Sequence, residues 1–423
     1  MKKSTKDSII VGFALFSMFF GAGNLIFPAF LGNRIGSEYL LGIIGFITTG
    51  VGLPLLAIFA CSKGDGTFET LSNKIGKKFS IIITAALFIT VGPLLAIPRT
   101  AATTFELTIS PFFPSVSPFI VMTIYFIINL FFVLKSTSII DTLGKYLTPA
   151  LIILLVILIT KGFFIPIGNI VETDAINVFP SALLEGYQTM DAIAALLFAG
   201  IITDSLKNKG YKDNQMSTMI LKSSFVAIIG LAFVYGGLTY IGAQTVNLAS
   251  SDIGKTTLLV LIAKNILGQI GPIVIGVAMG LACLTTSIGL LTSSSKFFER
   301  VSKGKLPYNL NAIVISIISL AIATLGVDKI IVLSIPILNI LYPVSITLIA
   351  TTLLSNILKN INAIRFGVYT SLIFGILFEI PLINLSFIPL SNLGFGWVLP
   401  TIISIIIGYV IFSPRNKNAI QLD

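Results

Sequence analysis

FFGAGNLIFP, residues 19–28, lies in the first long apolar run of a chain of 423 residues. Two glycines, an asparagine and a proline stand where lipid favours leucine. A helix through Gly21, Ala22, Gly23 and Asn24 has little side chain to pack. Pro28 lacks the amide proton that would bond the carbonyl one turn earlier, near Asn24. A carbonyl freed at membrane depth is tolerated only where protein or a polar cavity receives it. Two readings stand at this point: small residues that let helices approach closely, or a backbone opened to build a site.

The surroundings are those of a membrane protein. Hydrophobic residues make up 55% of the chain and charged residues 10%, whereas a soluble domain carries about 25% charged residues. Apolar runs near the ~20 residues needed to cross the hydrocarbon core recur at 8–31, 39–61, 79–105, 116–134, 144–166, 178–206, 218–242, 268–296, 309–325, 330–355, 365–384 and 395–413. Runs of this length satisfy their own backbone only as helices, and they lack the alternation of an outer-membrane barrel strand. The expectation is an all-α polytopic membrane protein of about 12 transmembrane helices. The basic start MKKSTKD resembles a signal peptide, but its apolar run continues through Phe30 without a cleavage site, so it reads as a retained first span.

Charge gives an independent test. With the N-terminus inside, Arg34, Lys161, Lys255, Lys264 and Lys329 fall outside and Arg99 lies within a span. Every other one of the 27 basic residues falls on the inner side. This bias places both termini in the cytoplasm and accounts for the net charge of +10 without nucleic acid. No histidine is present, which excludes histidine metal sites, proton relays and Ser-His triads. Cys61 and Cys283 have no metal-ligand spacing. No extramembrane stretch is long enough to bury a core, the longest outer loop being about 243–267, so residues 1–423 read as one membrane domain.

The sixth span carries a second interruption, Glu185-Gly186-Tyr187-Gln188-Thr189-Met190-Asp191. Ionisable groups inside a span mark functional sites by default. The alternative places Glu185 at an outer vestibule and pairs Asp191 with a backbone group or with Arg99. Five helices separate the two interruptions. Two five-helix repeats of opposite orientation, about 8–166 and 178–355, with extra helices over about 365–413, put a broken helix at the start of each repeat. Paired interruptions of this kind point to a transporter's central site. The eighth span adds ACLTTSIGLLTSSS, residues 282–295. Its Thr285 and Thr286 suit a hard cation, which takes oxygen ligands, although such hydroxyls also bond their own helix.

FSMFFGAGNLIFP, VGPLLAIPRTAATTFE (91–106), EGYQTMDAIAALLFAG (185–200) and SIPILNILYPVSI (334–346) resemble the branched-chain amino acid:cation symporter family, in order and over essentially the whole chain. The resemblance implies uptake of leucine, isoleucine and valine driven by Na⁺ or H⁺, in a leucine-transporter-like fold of the amino acid–polyamine–cation group. It implies that the substrate's charged ends meet opened backbone at Gly21, Ala22, Gly23 and Asn24 and at Tyr187, Gln188, Thr189, Met190 and Asp191. A cation would meet carbonyls near Ser17 and Phe20, together with Ala282, Thr285 and Thr286.

The expected protein is therefore a multi-pass cell-membrane symporter, not an enzyme. Its partners are a branched-chain amino acid, a cation and the lipid bilayer, and it needs no cofactor beyond the coupling ion. Na⁺ fits a site without a carboxylate; Asp191, Glu185 or Glu379 would serve a proton. A transporter of another small neutral amino acid, or an ion channel, is the alternative, but no repeated filter is visible. GKTT at 254–257 has Ala249 where a phosphate loop requires glycine, and SSSK at 293–296 lacks partner motifs.

Overall fold

A computed structural model describes residues 3–64, 66–135, 148–250 and 253–412. Residues 144–147 and 413 of the expected fifth and twelfth spans, and Lys2, Lys145, Arg415 and Lys417 of the charge pattern, lie outside them. The first span is two helices, α1 (Lys3–Phe19) and α2 (Ala22–Ile35). The second joins α3 (Tyr39–Ile47) to α4 (Leu53–Ser62) through a wide π turn at 48–52. A short α5 (Phe68–Asn73) leads into the third span. That span runs through α6 (Lys77–Ile89), a π turn at 90–94, α7 (Ala96–Thr104) and a last π turn at 105–109.

The fourth and fifth spans are α8 (Pro118–Lys135) and α9 (Thr148–Phe164). The sixth is again divided, into α10 (Val178–Tyr187) and α11 (Asp191–Asn208). Then come α12 (Asp213–Ala243), α13 (Lys255–Leu267) and α14 (Gly271–Val301). The chain finishes with α15 (Tyr308–Ala323), α16 (Val327–Leu353), α17 (Ile361–Phe378) and α18 (Val398–Ile411). All twelve expected spans fall on helices. Apolar side chains such as Phe119, Ile120, Ile124, Ile127 and Phe131 on α8 point outward, as a lipid solvent requires.

Contacts between span ends confirm that the spans alternate in direction. At one end Tyr211 Oη donates to Asp7 Oδ2 (2.8 Å), Lys63 Nζ to the Leu353 carbonyl (3.0 Å) and Tyr308 Oη to the Val133 carbonyl (3.1 Å). Arg300 and Glu69 pair at the same end. At the other end the Ser37 amide donates to the Val171 carbonyl (2.9 Å) and Asn33 Nδ2 to Thr245 Oγ1 (2.9 Å). There too Thr256 Oγ1 and the Val327 amide both donate to Glu106, each at 2.9 Å.

Close packing fixes the divided first span. The unbroken α12 lies along both α1 and α2. A Cβ on Gly32 would run into the Thr239 carbonyl, and one on Gly242 into the Ala29 carbonyl. Small residues on both helices thus bring the two backbones together.

Two expectations change. The segment expected as the longest outer loop contains α13, which buries Thr256, Leu258, Leu259, Ile262, Ala263 and Ile266. That is helical spacing in a segment too short to span. The eleventh span ends at Phe378 rather than at residue 384, because Pro381 follows within one turn of the helix end and cannot continue it.

Candidate functional site

In the first span the opening is Phe20–Gly21, between α1 and α2. Pro28, expected to hold it open, lies inside α2, two turns further on. Asn24 makes the new helix start possible. Its Oδ1 accepts the Gly21 amide at 2.8 Å, and its own amide donates to the Gly21 carbonyl at 3.3 Å, satisfying two donors that a helix N-terminus otherwise leaves unpaired.

In the sixth span Gln188, Thr189 and Met190 separate α10 from α11. Met190 takes φ 63°, ψ 12°, left-handed backbone that non-glycine residues rarely adopt. Thr189 Oγ1 braces the turn. It donates to the Gly186 carbonyl at 2.8 Å and accepts the Asp191 amide at 3.3 Å.

A buried polar network joins the two openings. Asn24 Nδ2 donates to Asp191 Oδ2 at 2.7 Å and also reaches the Tyr235 hydroxyl on α12. That hydroxyl donates to the same Asp191 oxygen at 2.5 Å. Arg99, from α7, does not pair with Asp191. Its Nη1 and Nη2 donate to the carbonyls of Gln188 (2.8 Å) and Thr189 (3.4 Å), where the end of α10 presents negative dipole. The Phe27 ring lies beneath the guanidinium, 5.3 Å away.

The hydroxyls of α14 meet the carbonyls at the end of α1. Thr286 Oγ1 is 3.3 Å from the Ser17 carbonyl, 3.3 Å from that of Met18 and 3.1 Å from that of Phe20. Thr285 Oγ1 is 3.2 Å from the Ser17 carbonyl and 2.9 Å from that of Ala282. A hydroxyl carries one proton, so Thr286 can donate to only one of its three carbonyls. Convergent oxygens in excess of donors suit a hard cation.

A cavity of about 20 Å³ lies at the centre, lined by Gly21, Ala22, Gly23, Asn24, Thr189, Met190, Asp191, Arg99 and Thr286 among others. Two larger pockets flank it along the molecule. One, of about 710 Å³, is lined by Arg34, Lys255, Glu185 and Gln188. The other, of about 290 Å³, is lined by Glu69, Leu197, Asp204 and Arg300.

Two of the expected substrate residues, Tyr187 and Gln188, do not line the central cavity. The Tyr187 ring stacks on Tyr342 at 4.1 Å, and Gln188 Oε1 accepts from Ser334 at 2.7 Å. Glu185 sits at the larger pocket, and Glu379 accepts from Asn339 at 2.8 Å, away from the centre. Met18, Tyr235 and the capping role of Arg99 are additions of the structure. Only Arg99 left a signal in the sequence, as a charge within a span.

Two broken helices crossing at a small buried cavity, in a bundle of about twelve spans, define a leucine-transporter-like membrane protein. Solved structures agree. Mhp1, a nucleobase-cation-symport-1 family transporter in a closed conformation with bromovinylhydantoin bound, matches with TM-score 0.65 at 13% identity, over 95% of this chain and 91% of that one. MhsT in complex with L-phenylalanine matches with TM-score 0.57 at 18% identity, over 95% and 98%.

The family model for branched-chain amino acid transport proteins matches residues 4–415. The branched-chain amino acid permease BraB of Bacillus subtilis (strain 168) is 36% identical, over 96% of this chain and 95% of its own. A putative branched-chain amino acid carrier protein of Staphylococcus haemolyticus is also 36% identical, over 98% of both chains. The chain belongs to the branched-chain amino acid transport protein family, a family of multi-pass membrane transporters and not of enzymes.

Proposed function

We propose that this protein imports leucine, isoleucine and valine by symport, with Na⁺ as the coupling cation and alternating access as the mechanism. The convergence of both helix openings on one buried cavity, beside the oxygens of Ser17, Phe20, Ala282, Thr285 and Thr286, carries the reading. Gly21, Ala22, Gly23, Asn24, Thr189, Met190 and Asp191 form the substrate site. Tyr187 and Gln188 support it through the carbonyls bound by Tyr342 and Arg99. The two inverted repeats run over about 8–166 and 178–355. Basic-residue bias puts both termini, α5 and the 290 Å³ pocket on the cytoplasmic side, with the 710 Å³ pocket outside.

The second reading is H⁺ coupling, favoured by a buried carboxylate, Asp191, at the cavity wall. Leucine uptake into proteoliposomes under an imposed inward Na⁺ gradient, and separately under an H⁺ gradient, tests both. Accumulation driven by Na⁺ at equal pH is expected. Accumulation driven only by H⁺ overturns the sodium assignment. Absence of saturable leucine uptake or of accelerated exchange against unlabelled leucine overturns the transport reading itself.

A further inference from the structure

Arg99 is 3% exposed and Asp191 2% exposed, and both line the central cavity. Neither forms an ion pair among the described residues. A guanidinium presents five N–H donors. Two carbonyls engage Nη1 and Nη2, and Nε has no acceptor. Gly23 leaves room on the cavity side, since a Cβ there would come within 2.9 Å of Nη2. On Asp191 the bonds donated by Asn24 and Tyr235 both fall on Oδ2, so neither engages Oδ1.

Unpaired charges at membrane depth are costly and are kept where they bind something. Here two of opposite sign face one cavity, held by different spans. The C-terminal turn of α10 spaces them, because Arg99 holds Gln188 and Thr189 and Asp191 follows Met190 at the start of α11.

We infer that Arg99 takes the α-carboxylate of the transported amino acid and that Asp191 Oδ1 takes its α-ammonium. The assignment rests on the transport reading above and adds to it the chemistry of recognition. A zwitterion completes both hydrogen-bonding sets at once, and much of the remaining wall is apolar, Asn24, Thr100, Thr189 and Thr286 being its polar members. Met18, Phe19, Val91, Ala96, Ala194 and Leu290 would face an aliphatic side chain. A cavity of 20 Å³ has room for about one water. The walls must therefore part for the ligand and then close on it, and attraction from both charged ends supplies a reason to close. Compounds missing either charge leave a buried ion without its partner, which is a strong basis for rejection.

The test is displacement of labelled leucine from the purified protein by leucine, by leucinamide (no carboxylate) and by the 2-oxo acid of leucine (no ammonium). In the unmodified protein leucine should bind roughly 10–100-fold tighter than either analogue, the range of a hydrogen bond to a charged group. Arg99→Gln should weaken leucine by a similar factor while leaving leucinamide nearly unchanged, so their ratio collapses. Asp191→Asn should collapse the ratio of leucine to the 2-oxo acid.

Arg99→Lys and Asp191→Glu keep the charges and should keep the ratios, which leaves the inference testable if the neutral variants fail to fold. Loss of leucine affinity in Arg99→Gln and Asp191→Asn with both ratios intact would mean that these side chains only hold the backbone, and overturns the inference. Unaltered leucine affinity in these two neutral variants, or collapsed ratios in the folded charge-keeping variants, does the same. An unmodified protein that binds no leucine fails the transport reading instead.

Discussion

Thr285 and Thr286 illustrate what single residues contribute. Both were visible in the sequence as adjacent hydroxyls in an apolar helix. The structure sets them against carbonyls that α1 leaves unbonded at its end. Thr286 sits over three such carbonyls, of Ser17, Met18 and Phe20, all within 3.3 Å, and Gly21 has no Cβ to push it away. Thr285→Val keeps the volume and removes one ligand of the proposed cation site. The expected result is an apparent cation affinity lowered about 10-fold, the worth of one polar contact near 1.4 kcal/mol, with the quantity of folded protein unchanged. The cation dependence of leucine uptake measures it, and an unaltered half-saturating concentration would remove Thr285 from the site. Tyr235, by contrast, left no trace in the sequence. A single tyrosine in a long apolar run does not reveal that its hydroxyl will meet Asp191 across 44 residues of chain, because that depends on which face of α12 packs inward.

At the scale of elements, the lengths of the spans were legible because hydrocarbon thickness dictates them. The two interruptions were legible because glycine, asparagine and carboxylates are costly in lipid. Their registers were less so. Pro28 suggested an opening after Asn24, yet α2 continues through it although an interior proline forfeits the helix bond to the carbonyl one turn back; in a bundle, packed neighbours hold such a helix together. The opening falls instead where Asn24 can fold back on the Gly21 amide. The tight seam between α2 and α12 then makes the broken span a stable object. Gly242→Ala inserts a methyl against the Ala29 carbonyl. Overpacking of this kind costs about 1–3 kcal/mol, and because it meets backbone on a rigid helix the upper part of that range applies. A lower midpoint for thermal loss of monodisperse protein in detergent is expected, with the leucine-to-leucinamide ratio preserved. An unchanged midpoint would mean that the seam can relax freely.

At the scale of the whole molecule, the small central cavity has a larger pocket on either side. The central 20 Å³ cavity shares no lining residue with either of them, and they hold about 710 Å³ and 290 Å³. Under the proposed alternating access, each side opens in turn. On the side assigned to the cytoplasm, Glu69 at the start of α5 and Arg300 at the end of α14 pair across the mouth of the smaller pocket. Phe88 and Phe297 stack deeper in the same pocket at 4.2 Å. An ion pair this exposed contributes only about 0–1 kcal/mol to folding. A transporter's two conformations differ by a few kcal/mol, so the same small energy alters their populations several-fold. Glu69→Gln removes the tie without altering size. In inside-out vesicles a cysteine placed at Leu197, which lines this pocket, should then react about two- to five-fold faster with a membrane-impermeant thiol reagent. High salt should speed the unmodified tie toward the same rate, since exposed charges are screened. Exchanging the partners, Glu69→Arg with Arg300→Glu, should restore slow labelling. Equal rates in all three proteins would show that the aromatic stack alone seals the inner side.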